Sequence, residues 1–215
     1  IVVGGGSAGV PAAIAAARNG AKTALIQNRP TLGGNCSKEA GVGVNGAGGN
    51  HPGWRESGII EEAGWIRAKL GDIDYSAAFK QLCDDEENLT LLLNQHVFEA
   101  VMGGKDRIKG VRSVSTLTGL ISEYRGTMFI DCSGDGWLGY YAGAEYRQGR
   151  EASNEFNEDL APDKADGITM SGCIMGDDLG YMTAFRAEKT GAPVEFVRPE
   201  WVKEIAVLES LHRSI

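Results

Sequence analysis

The residues best placed to do chemistry early in the chain are glycines. Gly4, Gly6 and Gly9 lie in the run Gly4-Gly5-Gly6-Ser7-Ala8-Gly9, a GxGxxG spacing. Each glycine has its own physical use. Gly4 permits a tight turn, Gly6 lets backbone approach a ligand closely, and Gly9 lets a following helix pack near a strand. The N–H groups of Ser7 and Ala8 would then stand at that helix's N-terminus, where unpaired donors and the helix dipole favour a pyrophosphate. On its own the spacing is also what a tight strand-to-helix turn produces, so the flanking elements decide its meaning.

Those elements have the required types and order. Ile1-Val2-Val3 is a short β-branched run suited to a buried parallel strand. PAAIAAARNG after Gly9 is alanine-rich and helix-forming, with Pro11 early, Arg18 in the last turn and Gly20 as the stop. Thr23-Ala24-Leu25-Ile26 reads as a second buried strand. Strand, glycine turn, helix and strand together predict an α/β, Rossmann-like dinucleotide-binding unit. The second strand of such units normally ends in an acid that holds the adenosine ribose. Here the position is Gln27, which could offer a neutral, weaker contact, with help from Asn28 and Arg29. Arg29 could meet a phosphate or lie against adenine, or be an ordinary solvated loop cation.

Beyond Gln27 comes NRPTLGGNCSKEAG. The combination GGGSAGVPAAIAAARNGAKTALIQ…LGGN resembles the FAD-dependent oxidoreductases of the glutathione-reductase-like superfamily, and within it the bacterial group labelled simply FAD-dependent oxidoreductase. The resemblance implies FAD as cofactor and an FAD/NAD(P)-binding Rossmann-like parallel sheet with a β-meander. It implies that the Leu32-Gly33-Gly34 turn, followed by Asn35 and Cys36, brings backbone near the pyrophosphate and flavin. A second block, Asp131-Cys132-Ser133-Gly134-Asp135-Gly136, is similar to the family's DATGDG segment. That segment passes beside the adenine end of FAD, where small residues avoid collision; local strand-to-helix geometry is its other reading. His96 and Val97 stand where family members often touch adenine through main-chain atoms. The matching segments span roughly residues 1–50 and 85–150. The family's later Gly-Asp motif beside the flavin is not found before residue 215.

The intervening residues fit the same plan. Ile59, Ile60, Ala63, Ile66 and Leu70 follow helical spacing up to Gly71, and Ser76 to Asp85 predicts another helix with Ala78, Phe79 and Leu82 inward. Leu89–Leu93 is a third parallel strand, residues 97–102, 107–116 and 120–125 a meander, and Met128-Phe129-Ile130 a further strand. After Arg150 the composition turns polar and acidic. Residues 1–150 are therefore read as an FAD-binding domain incomplete at its C-terminal end, and 151–215 as the start of a substrate or cap domain.

Catalytic candidates concentrate in the glycine- and asparagine-rich segment 41–58. Asn45, His51 and Arg55 could bind a substrate carboxylate or hydroxyl, and His51 could act as a general base; an open loop histidine and a helix-capping arginine are the plain alternatives. Trp54, Trp65 and Tyr75 read as core. The four cysteines, Cys36, Cys83, Cys132 and Cys173, form no CxxC pair, which argues against zinc, disulfides and a redox dithiol at Cys36. Unpaired thiols favour a reducing, cytoplasmic setting. In 215 residues with 42% hydrophobic content and a net charge of −8 there is core enough for a folded domain and no basic patch for nucleic acid. No apolar run nears the ~18 residues of a membrane span. Because the chain opens on Ile1 and stops inside a helix-like run, it reads as part of a longer one. The expected function is a flavin-dependent oxidation of an unidentified small molecule, with no metal. The alternatives are an NAD(P)-binding dehydrogenase domain, against which Gln27 and the Gly33-Gly34 pair count, and a non-redox dinucleotide-binding relative.

Overall fold

In a computed structural model, which describes residues 1–44, 57–71, 75–147, 149, 151–159 and 161–165, the predicted strand–turn–helix–strand forms at the N-terminus. Strand β1 (Val2–Val3) leads through the glycine run into helix α1 (Gly9–Arg18), whose Val10, Ala13, Ile14 and Ala17 make a buried stripe. Strand β2 is Thr23–Ile26, and a short 3-10 turn follows at Gly34–Cys36. Helices α2 (Ile59–Leu70) and α3 (Ser76–Asp84) precede strand β3 (Leu89–Leu92). Strands β4 (Gln95–Met102), β5 (Ile108–Ser115) and β6 (Ile121–Arg125) form the antiparallel meander. Strand β7 (Ile130–Asp131) and helix α4 (Trp137–Tyr141) complete the first of two compact units, Ile1–Tyr146.

The parallel sheet has the order β3-β2-β1-β7, so β1 is an interior strand, as its β-branched residues demand. Period-2 alternation then sorts its side chains. Val2 and Leu25, partners in the ladder, join a cluster with α1, α2 and α3, while Val3 and Ile26 join a second one with the meander and α4. Phe79 anchors the first cluster and Val111 the second, both fully buried.

Some expectations are corrected. Leu70, read as inward, is 50% exposed and belongs to neither cluster, since it falls in the last turn before Gly71 leaves the helix at φ +70°. Trp65, read as core, is 64% exposed, because Ile59, Ile60, Ala63 and Ile66 already form the face that α2 turns to the core. The strand expected at Met128–Ile130 begins only at Ile130 and pairs with β1 through Asp131. Tyr75 is half-buried against Phe79, with the Arg67 guanidinium 4.9 Å from its ring centre. Trp54 lies outside the described residues.

The second unit is Arg147–Ile215. Its described part holds helix α5 (Ser153–Phe156), an Arg147–Glu155 ion pair, and the Arg147 guanidinium over the Phe156 ring.

Arg18 pins the helical layer. Its guanidinium donates twice to the Glu62 carboxylate, at 2.8 Å each, and once to Glu86 at 2.6 Å, joining α1 to α2 and to the segment after α3. The Arg18 hydrogen bonds hold Glu62 below the usual carboxylate range. A carboxylate depressed in the folded state stabilises above its unfolded pKa, and that contribution is lost as pH falls. Arg18→Met should therefore lower stability at neutral pH by about 1 kcal/mol or less, given the partial exposure of the pair. The deficit should shrink as thermal melts are taken from about pH 7 down to about pH 3. A deficit that stays constant over that range would exclude the carboxylate linkage.

Candidate functional site

Two glycine turns meet at the ends of β1 and β2. At Gly4, with φ +100°, an added Cβ would lie 2.1 Å from the Cys132 carbonyl oxygen, and at Gly9 it would lie 1.7 Å from that of Gly4. Both are backbone-on-backbone contacts that no side chain could enter. Gly6 differs: an added Cβ would meet nothing within 4 Å, and its backbone is not left-handed. No protein packing or backbone conformation requires glycine there, so its bare Cα opens a cradle beside the helix. The second turn closes onto the first. The Gly33 N–H donates to the Gly5 carbonyl at 2.8 Å, Gly6 and Gly33 form an isolated parallel bridge, and a Cβ on Gly34 would lie 3.3 Å from the Gly6 Cα.

Helix α1 rises from this junction with no side-chain cap and no acid in its first turn. Its first turn closes on the Gly6 and Ala8 carbonyls, which accept from Val10 at 3.0 Å and from Ala12 at 3.2 Å. Ser7 and Ala8 are exposed at this positive end. An uncapped helix start beside an open glycine is suited to a phosphate group.

Gln27 is bonded within the protein. The side chain is 6% exposed, its Oε1 accepts the Gly5 N–H at 2.8 Å, and its Nε2 donates to the Thr31 carbonyl at 3.2 Å. Both ends of the amide are thus engaged with backbone inside the protein, in addition to any part it takes at the ribose that the sequence suggested. The next residues face outward. Asn28 is exposed, and Arg29 pairs with Glu39 at 2.9 Å, which gives that loop cation a protein partner. Asn28, Arg29, Glu39, Asn94, His96 and Thr116 border an open cavity of about 490 Å³. Val97, beside His96, turns its side chain into the second core cluster.

The other glycine block lies against the first turn through Cys132, whose N–H donates to the Val3 carbonyl at 2.8 Å. Its side chain is half-buried beside Gly9, while the Cys36 thiol, fully inside the core, donates to the Gly33 carbonyl at 3.0 Å. Burial, and then the Asp131 charge, raise the Cys132 thiol; burial first of all pushes Cys83 up to about 12. Neither is a ready nucleophile. The Ser133 hydroxyl, expected at the cofactor, is held locally: it donates to Asp131 at 2.7 Å and accepts from the Trp137 N–H at 2.9 Å. Burial alone would raise the Asp131 carboxyl, but hydrogen bonds from Ser133 and from nearby backbone amides outweigh it and hold the group below its ordinary value. Asp131 and Ser133 thus build the start of α4, whereas Gly134, Asp135 and Gly136 remain exposed, with both glycines at positive φ.

The structure therefore brings together Gly4, Gly6, Ser7, Ala8, Gly9, Gly33, Gly34, Asn35, Cys36 and Cys132 around one junction. Asn45, His51 and Arg55 lie outside the described residues. Sequence reading missed the bonds of Gln27 to Gly5 and Thr31; the replacement of an acid by an amide was the available signal. Among the described residues, no three His, Cys, Asp or Glu side chains gather as metal ligands.

The model of a family described as FAD dependent oxidoreductase matches residues 1–204. No curated protein matches the chain. Among solved structures it is similar to thioredoxin reductase of Lactococcus lactis, at 16% identity and a TM-score of 0.38, over 64% of this chain and 33% of that one. It is likewise similar to the myxobacterial chondrochloren halogenase CndH, an FAD-dependent halogenase, at 16% identity and a TM-score of 0.44, over 61% of this chain and 36% of that one. The chain thus spans about a third of the length of these structures.

The contrast between the glycines is testable. Gly9→Ala forces a methyl into the Gly4 carbonyl and should cost about 3 kcal/mol in urea unfolding. Gly6→Ala should stay within about 0.5 kcal/mol. Equal costs at the two sites would mean that Gly6 too is required by packing.

Proposed function

The chain belongs to the FAD dependent oxidoreductase family, whose cofactor is FAD, and we propose that it forms the FAD-holding part of an enzyme that oxidises a small organic molecule. The observation that carries this reading is the open Gly6 between two interlocked glycine turns. Within the glycine run, Gly6 has a Cα that packing does not need bare, next to an uncapped helix start. That arrangement fits a pyrophosphate approached by backbone on two sides.

In this reading the amides of Ser7 and Ala8 and the Gly33-Gly34 turn hold the pyrophosphate. Asn28, with Arg29 and His96 nearby, faces the adenosine end, and the exposed Gly134–Asp135 segment borders the same cofactor. FAD when bound supplies an isoalloxazine able to take a hydride or an electron pair from a substrate. The protein's own share is to bind, orient and exclude water. Asn45, His51 and Arg55, in the segment after the second glycine turn, are proposed to meet the substrate. There Arg55 would hold an anionic or hydroxyl group, and His51 would take up the proton that oxidation releases. Residues 1–150 hold the cofactor and residues 151–215 begin the part that selects the substrate.

An absorbance spectrum of the purified protein, with mass spectrometry of whatever heat releases, tests the proposal. Flavin bands and released FAD are expected, together with bleaching by an anaerobic reductant. Colourless protein that also resists reconstitution with FAD would overturn it. Because Gly6 has room around it, Gly6→Val should leave the melting temperature of the cofactor-free protein nearly unchanged while FAD content falls at least about tenfold, a loss of about 1.4 kcal/mol. Full flavin content in that variant would displace the phosphate site from this turn.

A further inference from the structure

We infer that Gln27 is a positioning residue whose neutral amide locks the two glycine turns at the spacing that receives the dinucleotide, and that an ionised acid at this position would unlock them. What the turns receive rests on the FAD-binding reading; the lock itself is a property of the protein alone. Its two partners are backbone groups of fixed polarity. The Gly5 N–H only donates, and the Thr31 carbonyl only accepts. A side chain serving both must carry one acceptor and one donor at its tip, which an amide does and an ionised carboxylate does not.

The position of these bonds gives them their effect. Gly5 immediately precedes the open Gly6, and Thr31 lies two residues before Gly33, so the amide spans from one turn to the approach of the other. The Gly5 carbonyl accepts from Gly33 at 2.8 Å, which places Gly5 between the Gln27 side chain and the second turn. A Cβ on Gly5 would meet Leu32 Cδ2 at 2.5 Å and the Gln27 Cβ at 3.1 Å, so the two turns and the glutamine stem are packed in one layer. The Gln27 main chain is tied as well, its N–H donating to the Leu92 carbonyl at 2.9 Å and its carbonyl accepting from Gln95 at 2.9 Å. With the stem fixed, a carboxylate would set one oxygen against the Thr31 carbonyl in a nearly dry site, without a donor between them.

The departure from an acid at the end of β2 therefore adds a job. The side chain sets the distance between two backbone turns, and the exposed Asn28 stands next to it for hydroxyl recognition.

Gln27→Glu tests this through its protonation state. A protonated glutamic acid has a hydroxyl to donate to Thr31 and a carbonyl to accept from Gly5, so it restores the lock; ionisation breaks it. The variant's carboxyl is stabilised as the acid in the folded state, which raises its folded pKa and makes stability fall as pH rises. Melting of the cofactor-free variant should match the native protein near pH 5 and lie several degrees lower near pH 8, with FAD released about tenfold faster than from the native protein at the higher pH only. Gln27→Met, which fills similar space with neither bond, should show its deficit equally at both pH values. A Glu variant indistinguishable from native at both, or one that fails to fold even at the acid end, would overturn the lock. If the native protein holds no FAD while the pH signature still appears, the lock stands and the cofactor reading fails.

Discussion

Everything at the junction depends on how closely three stretches of backbone approach one another. The Gly4 carbonyl lies where a Gly9 side chain would begin, and the Cys132 carbonyl lies where a Gly4 side chain would begin. Such contacts exclude every side chain, so they fix the angle at which α1 leaves the sheet and the distance at which the second glycine block passes β1. Gly6 then acquires its meaning by contrast. Within one short run, Gly4 and Gly9 are demanded by backbone contacts and Gly5 by its packing on Leu32 and Gln27, whereas Gly6 has room around it beside a helix start.

The remaining elements hold this junction in place from two sides. Alternation along β1 and β2 divides the side chains between two cores, so neither strand can slip by one residue without exchanging them. On the helical side the Arg18 fork ties three segments through Glu62 and Glu86. Between the turns, Gln27 connects Gly5 to Thr31. Apolar burial supplies most of the stability, while the polar contacts choose among the ways the layers could be aligned.

How much of this is legible in the sequence depends on whether a feature is local. The β1 and β2 runs, the glycine spacing and the inward face of α3 are local patterns, and the structure contains them with boundaries within a residue or two. Features set by a distant partner are not legible in that way. Arg18 looks like a cation complementing a helix end, yet its partners arrive from 44 and 68 residues later. Trp65 is apolar by type but its face of α2 is not the one selected by Ile59, Ile60, Ala63 and Ile66. Gln27 could be seen to differ from an acid, but its bonds to Gly5 and Thr31 follow from the curl of the chain at Thr31, which no periodicity announces. Ser133 was placed at the cofactor by motif, while its hydroxyl serves the start of α4.

The pairing of β1 has a consequence in time. Its neighbours are β2, made shortly afterwards, and β7, whose Ile130 and Asp131 align with Val2 and Val3. On a ribosome β1 emerges well before β7, and one of its edges stays open until the entire meander has been synthesised. During that interval the apolar strand can pair only with β2, and its other edge is available to any extended segment nearby. Closing so long a loop carries an entropic cost that local helices do not bear, so the parallel sheet is the slow part of folding. The Cys132 contact with Gly4 forms with that same closure, and the glycine junction is therefore completed when β7 arrives.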